Sequence, residues 1–163
     1  MDTTTGRCVV RVAVPEDLVP LLQLHHRHEQ PGQPLPEPPT APQQTTWDRM
    51  MATPNLTIYV ATMGSNIVGN TCMTVVPGLI NGCRPTAFVE PMLVAAAVRR
   101  SGIGRLMVDR LIADARAQGV YKVQLLSHKR HATDGAHAFY RSLGFTPEAE
   151  GFRLYLEGQE RAG

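Results

Sequence analysis

The sequence lacks any apolar run that approaches the roughly 20 residues of a membrane-spanning helix. Its first residues, MDTTTGR, include an acidic residue and none of the apolar stretch that a secretory signal requires. We therefore expect a cytoplasmic protein that makes no use of a membrane. A chain of 163 residues is long enough to bury one hydrophobic core, so the expected organisation is a single domain over residues 1–163.

Charged residues and cysteines are also scarce. Charged residues make up 18% of the chain, against about 25% in typical soluble domains, and the net charge is only +2. This balance does not favour nucleic acid as a partner. Cys8, Cys72 and Cys83 have neither CxxC nor metal-ligand spacing, which favours reduced thiols. The histidines in the HHRH run at 25–28 have no accompanying carboxylate or cysteine pattern, so no metal site is expected.

Hydrophobic periodicity and turn residues predict a mixed α/β order of elements. Half of the residues in 31–42 are proline, which excludes a helix or a central strand there and predicts an extended loop. Strands are expected at 8–14, 56–62, 67–76, 86–95, 122–126, 145 and 152–156, and helices from residue 15, over 47–53 with Thr46 as cap, from 103 to Gly119, and over 134–143. Residues 63–66 predict a hairpin turn.

The segment VRRSGIGRLM, residues 98–107, places two glycines at the head of an apolar-periodic helix. The first N–H groups of a helix have no internal partner, and glycines let the backbone approach an anion closely. Arg99, Arg100 and Arg105 add positive charge. The G-x-x-x-x-G-K-[ST] pattern of nucleoside triphosphatases is absent, and Met107 stands where a dinucleotide motif needs its third glycine. The segment predicts a phosphate-bearing ligand, with a nicotinamide dinucleotide as a weaker alternative.

Two motifs together carry a resemblance to a known family. RRSGIG at 99–104 resembles [QR]-x-x-G-x-[GA], the coenzyme A signature of the GNAT family of N-acetyltransferases. GAHAFYRSLGF at 135–145 is similar to the helix and turn of that family that end in F-Y-x-x-x-G-F. The resemblance is close over residues 89–145, and the order of elements fits back to residue 8. It implies a GNAT-like acyl-CoA N-acyltransferase fold, with a mostly antiparallel sheet splayed between its fourth and fifth strands and flanked by helices.

The resemblance also implies acetyl-CoA as co-substrate. Backbone N–H groups from Arg100 to Arg105 would hold the pyrophosphate, and the strand before them would pair with the pantetheine arm. Thr133 stands where many relatives have an asparagine, and Pro91 replaces a small polar residue; a proline there also predicts a bulge or lost pairing. The residues implied in cofactor binding are Met92, Leu93, Val94, Arg99, Arg100, Ser101, Gly102, Ile103, Gly104, Arg105, Thr133 and His137.

Two side chains carry the implied chemistry. A protonated amine must lose a proton before it attacks a thioester, and the leaving thiolate must gain one. By the resemblance, Glu90 would act as general base, through water, and Tyr140 would donate a proton or hydrogen bond to the sulfur. A backbone N–H near Leu93 would polarise the thioester carbonyl. The basic run at 128–131 fits either the 3′-phosphate of the cofactor or a solvated loop.

The sequence therefore predicts an enzyme that transfers the acetyl group of acetyl-CoA directly to a primary amine of a small molecule or protein. A non-catalytic coenzyme A-binding sensor of the same fold is the alternative. Trp47 and the proline-rich segment are expected near the acceptor, whose identity the sequence leaves open. A homodimer is an option because dimers are common in the family.

Overall fold

The computed structural model describes residues 7–34 and 38–156, which fall into two compact units. The first unit runs to Leu125 and the second begins at Leu126. The first contains β1 (Val9–Val12), α1 (Leu18–Glu29), α2 (Ala41–Ala52), β2 (Leu56–Met63), β3 (Asn66–Val76), β4 (Thr86–Val94), α3 (Ile103–Ala117) and β5 (Lys122–Leu125). The second contains α4 (Ala136–Ser142). Short 3₁₀ turns occupy Pro15–Asp17, Ala96–Val98 and Lys129–Ala132.

The five strands form one mixed sheet in the order β1-β2-β3-β4-β5. All neighbouring pairs are antiparallel except β4 and β5, which run parallel. β5 pairs only with Thr86–Val89, the first half of β4, while β3 pairs with β4 along both halves. The fold class is therefore confirmed as a mixed, mostly antiparallel sheet that splays between its fourth and fifth strands and is flanked by helices.

The side chains of the sheet alternate between two buried faces. Ile58, Val60, Ile67, Cys72 and Leu93 pack with leucines of α1 and with Trp47 of α2. The other face packs against α3, and its buried residues are Tyr59, Met73, Val75, Ala87 and Val89 with Leu111 and Ala115 of the helix. Because strand side chains alternate with a period of two, both faces of this sheet need apolar residues at successive positions.

α3 lies unusually close to the sheet at Gly69 of β3. A Cβ atom built on Gly69 would lie 3.0 Å from the Met107 sulfur and 3.1 Å from the Cβ of Ala61. Tyr59 adds a polar link, since its hydroxyl donates to Asp114 of α3 at 2.9 Å and Arg110 donates to the same oxygen at 3.0 Å. These contacts fix the helix, and with it the glycine-rich turn at its start, against β2 and β3.

Most of the predicted element ends are confirmed. The turn at Gly64 and Ser65 joins β2 to β3, whose end residues Met63 and Asn66 pair directly. Gly119 follows α3 and Gly144 follows α4, both with positive φ (69° and 88°), the left-handed conformation that glycine adopts without a steric penalty.

The prediction for α2 was wrong in its start. The helix begins at Ala41, six residues earlier than expected, and its cap is Thr40 rather than Thr46. The Gln43 N–H donates to the Thr40 hydroxyl at 3.3 Å, and the Gln43 side chain accepts from the Thr40 N–H at 2.8 Å. Pro42 is tolerated because the first-turn N–H groups of a helix have no internal acceptor.

The two late strands were also predicted wrongly. Over 7–34 and 38–156 the structure has no strand at 145 or at 152–156, and Phe152, Leu154 and Leu156 are largely exposed. Alternating apolar residues form a strand only where a partner strand accepts their backbone hydrogen bonds. The expected helix at 134–143 is present in shorter form, as Ala136–Ser142, and its first N–H group, that of Ala136, donates to the Asp134 carboxylate at 3.0 Å.

Candidate functional site

The open half of β4 begins at a bulge. Thr71 of β3 pairs with Met92, and Met73 pairs with Val89, so Glu90 and Pro91 together face Cys72 alone. This extra residue confirms the bulge that proline predicted in this strand. Beyond it, no described strand pairs with the edge of β4 that faces β5.

Strand alternation determines which backbone groups of β4 face this edge. The Ala95 N–H donates to the Val68 carbonyl of β3 at 2.8 Å. Successive residues of a strand direct their N–H and C=O groups to opposite sides, so Leu93 also faces β3, while Met92 and Val94 face the open edge. The Leu93 side chain is buried in the cluster that residues of α1 and α2 form with this face of the sheet.

The turn between β4 and α3 presents six consecutive backbone N–H groups, those of residues 100–105. None of them has a hydrogen-bond acceptor among the described residues; the first bond of the helix is from Leu106 N–H to the Gly102 carbonyl at 3.1 Å. Arg100 and Gly102 adopt positive φ values of 62° and 88°. Successive N–H groups in such a turn form a concave anion site, strengthened by the dipole of α3.

The other predicted residues of this turn have defined contacts. Arg99 is directed back toward β4, since its Nε donates to the Val94 carbonyl at 3.0 Å. Its Nη2 lies 3.3 Å from Nδ1 of His28. The Ser101 hydroxyl donates to the Val98 carbonyl at 2.6 Å and so holds the turn in shape. Arg105 is exposed beside the N–H groups, and Ile103 is buried beneath them.

Glu90 is exposed at the bulge and has no hydrogen-bond or ion-pair partner among the described residues. Its carboxylate is therefore available to solvent and to a ligand at the open half of β4. Its neighbour Pro91 lines a cavity between the helices α1 and α2 and the sheet.

This cavity lies between α1, α2 and the sheet and has a volume of about 420 Å³. Its apolar wall comes from both helices and from Ile58, and its polar groups cluster on α1, α2 and β3. The lining residues are Leu18, Leu21, Leu22, His25, Pro42, Gln43, Thr46, Trp47, Met50, Ile58, Asn70, Cys72 and Pro91. We refer to it as the acceptor cavity, because it is lined by Trp47, which the sequence predicts to lie near the acceptor, and it reaches Pro91 at the β4 bulge.

A histidine–asparagine pair in the acceptor cavity was missed by sequence reasoning. The Nε2 of His25 lies 3.0 Å from Oδ1 of Asn70, and Nδ2 of Asn70 donates to the Tyr59 carbonyl at 3.0 Å. Asn70 is buried, with 3% of its surface exposed. The two residues are 45 positions apart in the chain, so no local pattern indicates that they meet.

Cys72 lines the acceptor cavity, and its buried environment makes the thiol unreactive. It is buried, and burial raises the pKa of the thiol to about 11. A thiol with such a pKa is neutral near pH 7, and the neutral form is a poor nucleophile. The three cysteines are all free.

The second unit holds Tyr140. Its ring packs against Phe139 at 5.2 Å and edge-on against Phe145 at 5.9 Å between ring centres. Burial raises the pKa of the Tyr140 phenol above its ordinary value, so the hydroxyl stays protonated throughout the neutral range. No described hydrogen bond occupies that hydroxyl.

The remaining predicted residues of the second unit lie around the start of α4. Thr133 is exposed, and His137 has a buried Nε2 without a hydrogen-bond partner among the described residues. His131 contacts the Asp134 carboxylate, and this hydrogen bond, together with that from the Ala136 N–H, lowers the pKa of Asp134.

Comparison with known proteins decides the family. The model of the acetyltransferase (GNAT) family matches residues 21–145. The chain belongs to this family. It is 30% identical over 90 residues to a glucosamine 6-phosphate N-acetyltransferase of Trypanosoma brucei brucei, covering 55% of this chain and 58% of that protein. It is 34% identical over 77 residues to a glucosamine 6-phosphate N-acetyltransferase of Oryza sativa subsp. japonica, covering 47% and 44%.

A solved structure from Agrobacterium tumefaciens, assigned as an acetyltransferase, is similar over nearly the whole chain. It shares 35% identity at a TM-score of 0.80, covering 90% of this chain and 99% of that one. By contrast, the chain spans about half the length of the curated GNAT relatives it matches. No helix within the described residues is both long and apolar enough to cross a membrane. The same residues contain no group of three or more His, Cys, Asp or Glu side chains placed to hold a metal ion.

Proposed function

We propose that this GNAT protein is an acetyl-CoA-dependent N-acetyltransferase that passes the acetyl group directly to a primary amine. The observation that carries the proposal is the open half of β4, followed after the 3₁₀ turn at Ala96–Val98 by six backbone N–H groups that have no acceptor among the described residues. The reaction class named for the curated relatives supports it.

The backbone provides the binding groups for the co-substrate. The N–H groups of residues 100–105 would hold the pyrophosphate, and the positive charge of Arg105 would strengthen that contact. Met92 and Val94 would pair with the pantetheine amides, as an added strand pairs with a sheet edge. Of these two, the Met92 N–H is nearer the bulge, and we assign it the thioester carbonyl.

The reaction then needs two proton transfers. Glu90, acting through water, takes a proton from the ammonium group of the acceptor, which frees the nitrogen lone pair. That lone pair forms the new C–N bond, the C–S bond breaks, and its electron pair leaves with sulfur. Tyr140 donates a proton to the thiolate and regains one as the nitrogen loses its second proton. One proton is released in total for each amide formed.

Direct transfer is favoured over an acetylated enzyme intermediate. A two-step route needs a nucleophile in the site, and among the described residues that line the acceptor cavity Cys72 has the one thiol. Because burial raises its pKa to about 11, that thiol is not ionised at neutral pH.

An acceptor screen tests the function. The full chain is incubated with acetyl-CoA and a panel of primary amines, and release of the coenzyme A thiol is followed against blanks without amine. We expect turnover with at least one amine, and we expect Glu90→Gln to lower kcat by roughly 10²–10⁴-fold. Glu29→Gln, an exposed glutamate at the end of α1, is the matched control and should not change the rate.

The screen also separates the alternatives. Tight coenzyme A binding without turnover of any amine would favour the non-catalytic sensor. An unchanged rate and pH dependence in Glu90→Gln would show that another group is the base.

We also propose a cytoplasmic location and self-association as a homodimer. Free cysteines accord with a reducing compartment, and Phe152, Leu154 and Leu156 expose apolar surface in the second unit. Light scattering across a dilution series tests the dimer, and a single monomeric mass at every concentration would rule it out.

A further inference from the structure

The hydrogen bonds around Asn70 determine which tautomer the neutral His25 ring adopts. The Tyr59 carbonyl can only accept, so the group of Asn70 that faces it at 3.0 Å must be the amide nitrogen. The amide oxygen therefore faces His25, where it can only accept as well. It follows that Nε2 of His25 carries a hydrogen, and in the neutral ring Nδ1 holds the lone pair.

The second ring nitrogen is left for a ligand. Nδ1 of His25 has no hydrogen-bond partner among the described residues, while the ring itself lines the acceptor cavity. Asn70 pairs with Leu93 in the β3–β4 ladder, and the cavity reaches Pro91 at the bulge. The pair thus places a hydrogen-bond acceptor beside the stretch of β4 that we assign to the thioester.

The rest of the acceptor cavity is uncharged. None of its described lining residues is lysine, arginine, aspartate or glutamate, and His25 is the one basic side chain among them. Most of the wall is leucine, methionine, isoleucine, proline and tryptophan. A phosphate or carboxylate buried there would find no lysine or arginine, and burying an unpaired charge is strongly unfavourable.

We propose that the acceptor cavity binds a small primary amine whose body is uncharged and mainly apolar, and that Nδ1 of His25 accepts a hydrogen bond from its amino group. This inference rests on the proposed acetyltransferase function. It sets the chain apart from a glucosamine 6-phosphate acetyltransferase, the activity named for its curated relatives, since that substrate carries a phosphate. His25 binds and orients the amine, and the proton still leaves through Glu90.

Two substitutions of His25 separate its two nitrogens. Counted in bonds from Cα, the amide nitrogen of glutamine matches Nε2 and the amide oxygen of asparagine matches Nδ1. His25→Gln therefore keeps a donor for Asn70 and loses the acceptor, whereas His25→Asn keeps the acceptor and loses the bond to Asn70. His26→Gln is the matched control, because His26 neighbours His25 on α1 and does not line the cavity.

The first measurement uses 2-phenylethylamine and glucosamine 6-phosphate as probe acceptors. We expect 2-phenylethylamine to be acetylated with a kcat/KM at least 10-fold above that for glucosamine 6-phosphate. His25→Gln should raise the KM for the amine about 10-fold or more and leave the KM for acetyl-CoA unchanged. His25→Asn should stay within a few-fold of the wild type, and His26→Gln should equal it.

The second measurement does not depend on turnover. Trp47 is the single tryptophan of the chain, it lines the acceptor cavity, and its indole N–H donates to the Pro15 carbonyl at 3.0 Å. Its fluorescence should change saturably as 2-phenylethylamine is added in the presence of coenzyme A. His25→Gln should weaken this binding about 10-fold, with an unfolding midpoint close to that of the wild type.

The outcomes distinguish this inference from the function on which it rests. Preferred acetylation of glucosamine 6-phosphate, with no fluorescence response to 2-phenylethylamine, would overturn the inference and leave the acetyltransferase in place. Saturable amine binding that His25→Gln weakens, without turnover of any amine, would support the binding role and overturn the proposed function. Equal KM values and equal binding for His25→Gln and wild type would overturn the role of His25.

Discussion

At the scale of single residues, a buried carboxylate makes part of the stability depend on pH. Asp17 accepts two hydrogen bonds from the Arg11 guanidinium, at 2.6 and 2.8 Å, and one from the Val14 N–H at 2.8 Å. The hydrogen bonds from Arg11 hold the pKa of Asp17 below its ordinary value. The folded state therefore favours the ionised carboxylate more than the unfolded state does.

We expect Asp17→Asn to lower the free energy of unfolding by about 1–3 kcal/mol at pH 7. Because the folded pKa is depressed, the stabilisation is fully present above the ordinary carboxyl pKa of about 3.9 and is lost as pH falls through the lower folded value. Urea unfolding of both proteins at pH 7 and across the range below pH 4 measures this. A difference between them that does not shrink on acidification would contradict the assignment.

Tyr140 gives the second prediction for a single residue. Its raised pKa keeps the phenol protonated, as a proton donor to a thiolate requires. We expect Tyr140→Phe to lower kcat by roughly 10²–10⁴-fold, with little change in the KM for acetyl-CoA. Steady-state kinetics measure it, with Tyr155→Phe as control for an exposed tyrosine of the same unit. Near wild-type turnover in Tyr140→Phe would remove the residue from the mechanism.

At the scale of elements, the cap of α2 tests where that helix begins. Thr40 and Gln43 form a reciprocal pair of hydrogen bonds at its start. We expect Thr40→Ala to lower the free energy of unfolding by about 0.5–2 kcal/mol, since an N–H group of the first turn loses its acceptor. Thr46→Ala, within the helix, should have a much smaller effect. Chemical unfolding of the two variants measures both losses of stability. A larger loss in Thr46→Ala than in Thr40→Ala would show that Thr46 is the cap.

The elements also show what the sequence could predict. Proline at 91 predicted the bulge because a residue without an N–H cannot stay in a regular ladder. The start of α2 was missed because the prolines of 31–42 obscured the short-range T-x-x-Q capping box. The strand expected at 152–156 has a suitable pattern, but a strand also needs a partner, which no local pattern provides.

The candidate site divides in the same way. The RRSGIG turn and the F-Y-x-x-x-G-F segment are local, so their residues could be named from the sequence. The contact between His25 and Asn70 depends on how α1 packs on β3, across 45 residues of chain. Likewise, only the register of β3 and β4 shows that Met92 and Val94, rather than Leu93, face the open edge.

At the scale of the whole molecule, binding of the co-substrate should raise the stability of the folded protein. A ligand present at 100 times its Kd and bound only by the folded state raises the free energy of unfolding by about 2.7 kcal/mol. We expect coenzyme A to raise the melting temperature of the full chain and NAD to leave it unchanged. The reverse result would favour a nicotinamide enzyme over the proposed function.

A pair of glycine variants assigns this stabilisation to the turn before α3. Gly102 and Gly64 both have positive φ, 88° and 58°, and a Cβ on either would meet no atom within 4 Å. Alanine at each position therefore introduces backbone strain alone, with a similar loss of stability in the free protein. Only Gly102→Ala should also reduce the shift in melting temperature caused by coenzyme A. If coenzyme A raised the melting temperature of both variants equally, the pyrophosphate would not bind at the turn before α3.

The half-paired β4 strand also bears on how the protein behaves in concentrated solution. An unpaired strand edge offers its N–H and C=O groups to any extended chain, including that of a neighbouring molecule. A ligand that pairs with Met92 and Val94 would cover that edge. We therefore expect preparations saturated with coenzyme A to stay dispersed at concentrations where ligand-free protein associates. The bound ligand would thus also protect the protein against aggregation.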